Sequence, residues 1–464
     1  MYTSTRRKLS LNATNCILKG ISDDGGLFIV NDFNNFNFNK EFLNKSYQDI
    51  AKIVLKYFLN DFESVDHIID NAYSKKNFKE KMVDIKSFNE LSFLELYHGP
   101  TLAFKDMALT VLPHLMVESR KLSGFPKKTL ILTATSGDTG GAALSGFKDV
   151  DNVFIVVLYP TNGVSNFQAS QMQYYTGKNA MAISVEGNFD DCQNLVKKVF
   201  TSGIKLNNYE LSSANSINIG RLIPQIIYYF YSYCDLVNKG DIKFGDKINY
   251  VVPTGNFGNI LACYIAKQMG LYIDKIVCAS NQNKVLNDFF ETLTYDKNRE
   301  FYLTNSPAMD ILISSNLERL LYLITDCNYE LVEKLMNDLK ETGIFELPKE
   351  YKEKIFSHDD IAKLPLILLE NKSNSRKYVD KIKPAFEEGG KFSALHSTFD
   401  AFETFLYVPN PRTSKGSHVR DCNDIKRVMI IMVLALLPAL VFGMFNVGYQ
   451  RVGGADYTIL QNFW

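Results

Sequence analysis

The sequence predicts an α/β fold built on a mainly parallel sheet, and three observations carry that prediction. Short apolar runs rich in β-branched residues alternate with longer runs of helical spacing. Two of the apolar runs end in glycine-bearing turns that lead directly into helices. The chain of 464 residues is 46% hydrophobic and 22% charged, which is ordinary globular composition for two or three domains. Strand, glycine turn, helix and strand in that order is typical of parallel α/β units.

Several runs justify this fold class. Strands are predicted, in chain order, at 129–135 (TLILTAT), 152–160 (NVFIVVLYP), 181–187 (MAISVEG), 247–253 (KINYVVP) and 275–280 (KIVCAS). Helical spacing is found at 189–200, 220–237 and 260–270. The Asn- and Phe-rich patch NDFNNFNFN at 31–39 predicts a surface loop.

Charge and cysteine content exclude several classes of function. The formal net charge is zero, so no general attraction to nucleic acid is expected. The seven cysteines contain no C-x-x-C pair, which argues against a disulfide framework or a zinc site and fits a reducing cytosol. The first residues, MYTSTRRKLS, lack the apolar stretch of a secretory signal, so export is not expected.

The two glycine turns are candidate ligand sites. The segment PTGNFGN (253–259) follows a strand and precedes a helix, so its backbone amides predict a nest for a phosphate dianion. It is neither a Walker A sequence nor a G-x-G-x-x-G fingerprint, so nucleotide binding is not favoured. The segment TSGDTGGA (135–142) also ends a strand, where open α/β sheets bind ligands. Taken alone, each turn could equally serve only helix–sheet packing.

Lys105 is the third element. It lies in the run ELYHGPTLAFKDMAL (95–109), which is largely apolar. A lysine amine becomes a nucleophile toward carbonyls when desolvation lowers its pKa. The alternative is an exposed lysine at a helix start beside Asp106. Together with a phosphate nest, however, Lys105 predicts an aldehyde-bearing phosphorylated cofactor, pyridoxal 5'-phosphate.

These segments resemble the threonine synthase family in the order in which that family shows them. The resemblance covers about residues 1–325 and rests on six segments: GISDDGGLFIV, ELYHGPTLAFKDMAL, TATSGDTGGAAL, SSANSINIGRLIPQ, PTGNFGN and SPAMDILISSNLERL. It implies a fold-type-II pyridoxal-phosphate enzyme, related to tryptophan synthase β and the serine/threonine dehydratases. It also implies conversion of O-phospho-L-homoserine and water to L-threonine and phosphate.

The resemblance implies roles for particular residues. Lys105 would bond covalently to the cofactor aldehyde and then move protons at the α and neighbouring carbons of the substrate. One turn would hold the cofactor phosphate through Gly255, Asn256, Phe257, Gly258 and Asn259. A second turn would lie beside the cofactor ring and the substrate carboxylate through Ser136, Gly137, Asp138 and Thr139. The substrate would also be bound by Asn215, Ser216, Asn218 and Arg221.

Two of these assignments carry open alternatives. Asp138 stands where dehydratase relatives have an asparagine near the ring hydroxyl. Two anions there would repel each other, so a direct contact implies a shared proton. Arg221 either binds the substrate phosphate, because a guanidinium matches phosphate geometry, or is a charge on a helix surface.

The C-terminal part has a different character. From Val428 to Val447 the chain has 20 residues without a formal charge, which predicts a transmembrane helix; a buried core helix is the alternative. The segments at 377–410 and 417–450 resemble the N-terminus of a membrane subunit of the sodium-translocating NADH:quinone reductase. No redox activity is carried over, because that family's flavin-attachment threonine is absent. The threonine synthase family's Pro-His-Thr-Ala-like stretch and pyridine-nitrogen loop are not found either, which implies a threonine-synthase part without its C-terminal portion.

Four regions follow from these observations. They are an N-terminal segment (1–95), a pyridoxal-phosphate-dependent α/β region (96–355), a linker with a cytoplasmic segment (356–427) and the candidate transmembrane helix (428–447). The enzyme region is expected in the cytoplasm, with membrane association only through 428–447. Two other functions remain open, a threonine/serine dehydratase and a membrane-complex component with an inactive enzyme-like passenger.

Overall fold

The computed structural model describes most of residues 1–351 and one later strand. Residues 89, 90, 125, 136, 188, 202–205, 207, 303 and 305 are excepted, and the later strand is 361–365. The predicted transmembrane helix at 428–447 and most of the predicted linker at 356–427 lie outside the described residues. Within the described residues, no helix combines the length and the apolar character that crossing a bilayer requires.

The described residues form thirteen strands and thirteen α-helices. The strands are β1 (Thr3–Ser4), β2 (Phe28–Ile29), β3 (Asp84–Phe88), β4 (Leu91–Glu95), β5 (Lys128–Ala134), β6 (Val153–Pro160), β7 (Ala180–Val185), β8 (Tyr209–Ser212), β9 (Ile248–Pro253), β10 (Ile273–Ser280), β11 (Thr294–Asp296), β12 (Ile344–Glu346) and β13 (Ile361–Pro365). The helices are α1 (Ala13–Lys19), α2 (Tyr47–Phe58), α3 (Val65–Ala72), α4 (Asp106–Leu109), α5 (Leu112–Ser123), α6 (Asp138–Phe147), α7 (Asn166–Tyr174), α8 (Phe189–Thr201), α9 (Ile219–Lys239), α10 (Gly258–Gln268), α11 (Val285–Thr292), α12 (Leu317–Ile324) and α13 (Tyr329–Glu341).

Two parallel sheets organise the described part of the chain. The first has the order β7-β6-β5-β8 and the second has the order β13-β10-β9, with every neighbouring pair parallel. Three antiparallel pairs, β1–β2, β3–β4 and β11–β12, accompany them. The predicted α/β class with mainly parallel sheets is therefore confirmed. Strand β13 lies inside the range predicted to be a linker and pairs with β10, so this part of the range extends the second sheet.

Each parallel sheet has one strand that runs through a glycine turn into a helix. Strand β5 leads into α6, and strand β9 leads into α10, as the sequence pattern predicted. The carboxyl ends of parallel strands are where α/β proteins place ligands. The first sheet also buries the strand centres, since Ile131 and Val157 have no exposed surface.

The long helix α9 is buried along most of its 21 residues. Its N-cap residue Asn218 accepts a hydrogen bond from the backbone N–H of Gly220, and Gly240 ends the helix in the left-handed conformation. Apolar residues occur around much of its circumference, which is typical of a helix surrounded by other elements. It packs against α2, α4 and α10.

The phenylalanine-rich segment 31–39 contributes to the core, contrary to the predicted surface loop. It contains no strand or helix, but Phe33 is 7% exposed. The rings of Phe36 and Phe38 each lie 5.2 Å from the ring of Phe230 on α9. The intervening asparagines made the segment look polar, whereas its aromatic rings supply the apolar area that α9 buries.

Arg319 on α12 joins the N-terminal segment to the loops at the sheet edges. It is fully buried and donates to the carbonyl oxygens of Phe28 at 2.9 Å and Ile217 at 2.6 Å, and also to the side chain of Asn316. Burial lowers the pKa of Arg319 to about 9. The adjacent Glu318 accepts two hydrogen bonds from Arg6, both at 2.8 Å.

Replacing Arg319 should destabilise the fold. Arg319→Met keeps the volume but leaves the buried carbonyls of Phe28 and Ile217 without donors, so the free energy of unfolding should fall by about 3 kcal/mol. Urea unfolding followed by circular dichroism measures this change. Arg7→Met, at an exposed position, is the matched control and should change the free energy by less than about 0.5 kcal/mol. Equal effects of the two variants would contradict this role for Arg319.

Candidate active site

Lys105 lies immediately before helix α4, at the end of a loop that Asp106 organises. The carboxylate of Asp106 is 1% exposed and accepts hydrogen bonds from the backbone N–H of Thr101 at 2.8 Å and from its hydroxyl at 2.6 Å. A Cβ on Gly99 would stand 2.5 Å from the Cβ of Asp106, so only glycine fits there. The motif H-G-P-T-x-x-F-K-D is therefore one closed loop that fixes where Lys105 begins.

The Lys105 side chain is largely enclosed, with 13% of its surface exposed. Its Nζ lies 3.5 Å from Oδ2 of Asp138 and 5.2 Å from the centre of the Phe104 ring. Burial lowers the pKa of Lys105; Asp138 opposes that shift, and the positive charge of Arg221 adds to it. The amine is thus held near a single carboxylate in a partly dehydrated position.

The turn between β5 and α6 presents Asp138 to this amine. Thr135 is buried, and its hydroxyl accepts hydrogen bonds from the backbone N–H groups of Gly137 and Gly140, both at 3.0 Å. Asp138 Oδ1 accepts a hydrogen bond from Nε2 of Gln168 at 2.7 Å. Lys105 lowers the pKa of Asp138, burial opposes that effect, and the hydrogen bond from Gln168 adds to it. Thr139 is half-buried in the first turn of α6, whereas Ser136 lies outside the described residues.

The turn between β9 and α10 has the geometry of an anion nest. Phe257 has a left-handed backbone (φ 64°) and a buried side chain, so it can offer a ligand only its backbone. The first N–H groups of the 11-residue helix α10 lack intrahelical partners and point out of its N-terminus. A Cβ on Gly255 would stand 2.6 Å from the carbonyl oxygen of Ala308, and Asn256 is exposed.

Two tyrosines on α9 fix the side chain of Asn259. The hydroxyl of Tyr229 donates to Oδ1 of Asn259 at 2.8 Å, and the hydroxyl of Tyr228 donates to the same atom. Because Oδ1 accepts both hydrogen bonds, the amide nitrogen of Asn259 faces away from the tyrosines.

Asn316 connects this turn to the loop at 213–218. Its Nδ2 donates to the carbonyl oxygens of Asn256 at 3.0 Å and Ser216 at 3.2 Å. The backbone N–H of Asn316 donates to the Asn256 oxygen as well, at 3.0 Å. The hydroxyl of Ser216 lies 3.5 Å from that of Ser315. Two of the predicted segments are thereby held side by side.

Arg221 is 4% exposed, so the alternative of a helix-surface charge is wrong. Its Nη1 donates to the carbonyl oxygen of Ala214 at 2.6 Å, while its Nε, also buried, has no hydrogen-bond partner among the described residues. Burial lowers the pKa of Arg221 to about 10, and Asp106 opposes that shift. A buried guanidinium with an unused donor is suited to binding an anion.

The loop before α9 has a different role at each of its other predicted residues. Asn218 is buried, and its amide donates to the carbonyl oxygens of Ile17 and Ser213, both at 3.0 Å, while its Oδ1 caps α9. Because both donor hydrogens are used, the predicted substrate-binding role of Asn218 is replaced by a structural one. Asn215 and Ser216 are half-buried and remain accessible.

Helix α9 carries one side of the site. Gln225 follows Arg221 by one turn and donates to its carbonyl oxygen at 2.6 Å. The Gln225 Nε2 atom lies 3.7 Å from where a Cβ on Gly258 would stand, at the start of α10. Since Arg221 influences the pKa of Lys105, one face of α9 extends from the amine to the anion nest.

Sequence reasoning missed residues whose partners are far away in the chain. Gln168 contacts Asp138 across 30 positions, and Asn316 contacts Asn256 across 60 positions. The only local signal for Gln168 is a capping box with Ser165, which predicts a helix start rather than a site residue. Asn316 lies in the quoted segment SPAMDILISSNLERL, where the family resemblance could have suggested it.

Comparisons with known proteins agree with this arrangement. A family model described as the threonine synthase N terminus matches residues 1–73. Threonine synthase from Saccharomyces cerevisiae is 36% identical over 380 residues, covering 75% of this chain and 73% of the yeast protein. The structure of PLP-bound threonine synthase from Brucella melitensis superposes with a TM-score of 0.70 at 36% identity, covering 78% of both chains.

Threonine synthase-like 1 from Homo sapiens is a longer relative. It is 39% identical over 425 residues, covering 87% of this chain but 53% of its own length. The chain therefore spans about half the length of the first curated relatives it matches. That coverage is about 404 of the 464 residues, so the alignment extends past residue 355, where the resemblance was expected to fade.

The state of the Lys105 amine can be titrated without any ligand. Because burial lowers its pKa, acetylation of Lys105 by acetic anhydride should reach half its maximal rate at lower pH than that of a lysine model peptide. Mass spectrometry of the Lys105 peptide gives the midpoint. Asp138→Asn should lower the midpoint further, since it removes the carboxylate that favours the charged amine. A wild-type midpoint at or above that of the model peptide would contradict the enclosed position.

Proposed function

The chain belongs to the threonine synthase family, and on that premise we propose that it converts O-phospho-L-homoserine and water to L-threonine and phosphate, with pyridoxal 5'-phosphate as cofactor. The observation that carries this proposal is the enclosed amine of Lys105, 3.5 Å from Asp138. The activity remains a proposal for the whole protein, since the chain matches only part of its longer relatives.

The residues present fit that cofactor. An aldehyde requires an amine that can lose its proton near neutral pH, and burial lowers the pKa of Lys105. A phosphate dianion requires converging donors, which the N-terminus of α10 and the left-handed turn at Phe257 provide. We therefore assign the phosphate to the backbone of Gly255, Asn256, Phe257, Gly258 and Asn259, with the side-chain amide of Asn259 turned away from Tyr228 and Tyr229.

The cofactor supplies an electron sink for negative charge that develops next to the substrate amine. The protein supplies proton transfer and orientation. Lys105 Nζ accepts a proton from the α-carbon of the substrate and returns protons at the neighbouring carbons. Asp138 stabilises the protonated form of Lys105, and the enclosure of the amine limits competing reactions with bulk water.

Asp138 is also assigned to the cofactor ring hydroxyl, with Ser136 and Thr139 beside the substrate carboxylate. Lys105 and Gln168 both favour an ionised Asp138. If a second oxygen anion approached this carboxylate, the two would share one proton, because like charges at contact distance are costly. The half-buried position of Thr139 leaves its hydroxyl within reach of a ligand.

Arg221 is assigned to the phosphate group of the substrate, with Asn215 and Ser216 at the same end. Its support is the buried Nε without a partner among the described residues, which a phosphate oxygen would satisfy. The same guanidinium lies near enough to Lys105 to favour the uncharged amine. Arg221 therefore serves binding and also keeps Lys105 reactive.

For the C-terminal part we keep the proposal of a membrane-subunit-like segment with a transmembrane helix at 428–447. Its support is the 20-residue run without a formal charge. The enzyme region would then lie on the cytoplasmic side. The alignment with the human relative overlaps the start of this segment, which limits how much of it can be foreign to the threonine synthase family.

Replacing Lys105 tests the cofactor assignment. The purified chain mixed with pyridoxal phosphate should gain the long-wavelength absorbance of cofactor bound through a lysine and should release phosphate from O-phospho-L-homoserine. Lys105→Ala should lose both, because no other amine occupies that position. Ketoacid formation from threonine would favour the dehydratase alternative. A chain that gains no absorbance and releases no phosphate would support the inactive passenger.

Replacing Arg221 tests the substrate assignment. Arg221→Met should raise the KM for O-phospho-L-homoserine by about tenfold to a hundredfold, because one or two charge-assisted hydrogen bonds to phosphate are lost. Steady-state phosphate release measures the change, and cofactor absorbance should stay as in wild type. The exposed Arg7→Met serves as the control of equal charge change. An unchanged KM in Arg221→Met would refute the assignment.

A further inference from the structure

Gln168 is a buried polar residue that the proposed mechanism does not yet use. It lies in the first turn of α7, on a different element from Lys105 and Asp138, and is 6% exposed. Its backbone N–H donates to the hydroxyl of Ser165 at 3.1 Å, which forms half of the capping box of α7. Its side chain contacts two separate elements at once.

The orientation of the Gln168 amide is fixed by its donors. Oε1 accepts a hydrogen bond from the backbone N–H of Ser165 at 3.1 Å and another from its hydroxyl at 3.2 Å. The nitrogen Nε2 must therefore point the other way, where it donates to Oδ1 of Asp138 at 2.7 Å. A flipped amide would lose all three hydrogen bonds.

Gly137 allows this contact. Its φ of 142° is a conformation that favours glycine, and a Cβ there would collide with the amide of Gln168. The turn before Asp138 thus packs directly on the Gln168 side chain. With Oδ1 held by Gln168, the other oxygen of Asp138 faces Lys105 at 3.5 Å.

We propose that Gln168 is a positioning residue that aims the Asp138 carboxylate at Lys105, so that the start of α7 controls the charge state of the amine. A neutral amide suits this role, because it donates to Asp138 without competing with Lys105 as a positive charge. The charged groups that act on Lys105 are Asp138 from α6, Arg221 from α9 and Asp106 from α4. The catalytic meaning of the role rests on the proposed function, whereas the geometry does not.

The variant Gln168→Glu separates positioning from helix capping. Glutamate is also a capping-box residue and can accept the same two hydrogen bonds from Ser165, so α7 should keep its cap. It cannot donate to Asp138 when ionised, and it places a second negative charge beside that carboxylate. At the alkaline pH where Lys105 titrates, both carboxylates are ionised, so the charged form of Lys105 is favoured.

The test is the acetic anhydride titration of Lys105 in the full chain without cofactor. In Gln168→Glu the midpoint should rise by about one pH unit. The matched control is Gln173→Glu, which makes the same charge change at an exposed position of the same helix and should leave the midpoint unchanged. Equal midpoints in the two variants would overturn the proposal.

Ser165→Ala provides the second control. It removes one capping partner of Gln168 but leaves the donor to Asp138 in place, so the melting temperature should fall while the Lys105 midpoint stays. A midpoint shift as large as that of Gln168→Glu would show a merely structural role and would also overturn the proposal. Failure of the wild type to bind pyridoxal phosphate would refute the proposed function and leave this result standing.

Discussion

An ammonium group with 13% of its side chain exposed must be offered an opposite charge, and the site is arranged around that requirement. Asp138 supplies the charge at 3.5 Å, and three features hold it there: the buried Thr135, the glycine at 137 and the amide of Gln168. Arg221 acts in the opposite direction and keeps the amine from being too strongly protonated. The balance between one carboxylate and one guanidinium sets how readily Lys105 can serve as a nucleophile or base.

A second dependence runs through buried polar groups that join distant parts of the chain. Arg319 and Asn316 place the N-terminal segment, the loop before α9 and the turn before α10 in fixed positions through carbonyl oxygens. Such groups are costly to bury unless fully paired, so they specify one arrangement of the loops rather than adding much net stability. The anion nest is consequently held rigid, as a binding site for a phosphate dianion requires.

Much of the fold and the central site residue could be predicted from sequence, because both rest on local patterns. Strand β5 and helix α10 follow from periodicity and glycine turns, and Lys105 follows from the family resemblance. Contacts between distant residues were not predictable. Gln168 is identical in sequence signal to any helix-capping glutamine, and the interleaved asparagines of 31–39 conceal aromatic rings that pack on Phe230. Arg221 was undecided between surface and site, because its burial depends on elements that surround α9.

The central claim is that one lysine and one helix N-terminus act together on the same cofactor. A crystal structure of the chain reduced with borohydride in the presence of pyridoxal phosphate measures this directly. We expect electron density continuous with Lys105 Nζ, and the cofactor phosphate within hydrogen-bond distance of the backbone N–H groups of the turn 255–259, with Arg221 left free for the substrate. Density attached to another lysine, or a cofactor phosphate bound by Arg221 instead of that turn, would contradict the account.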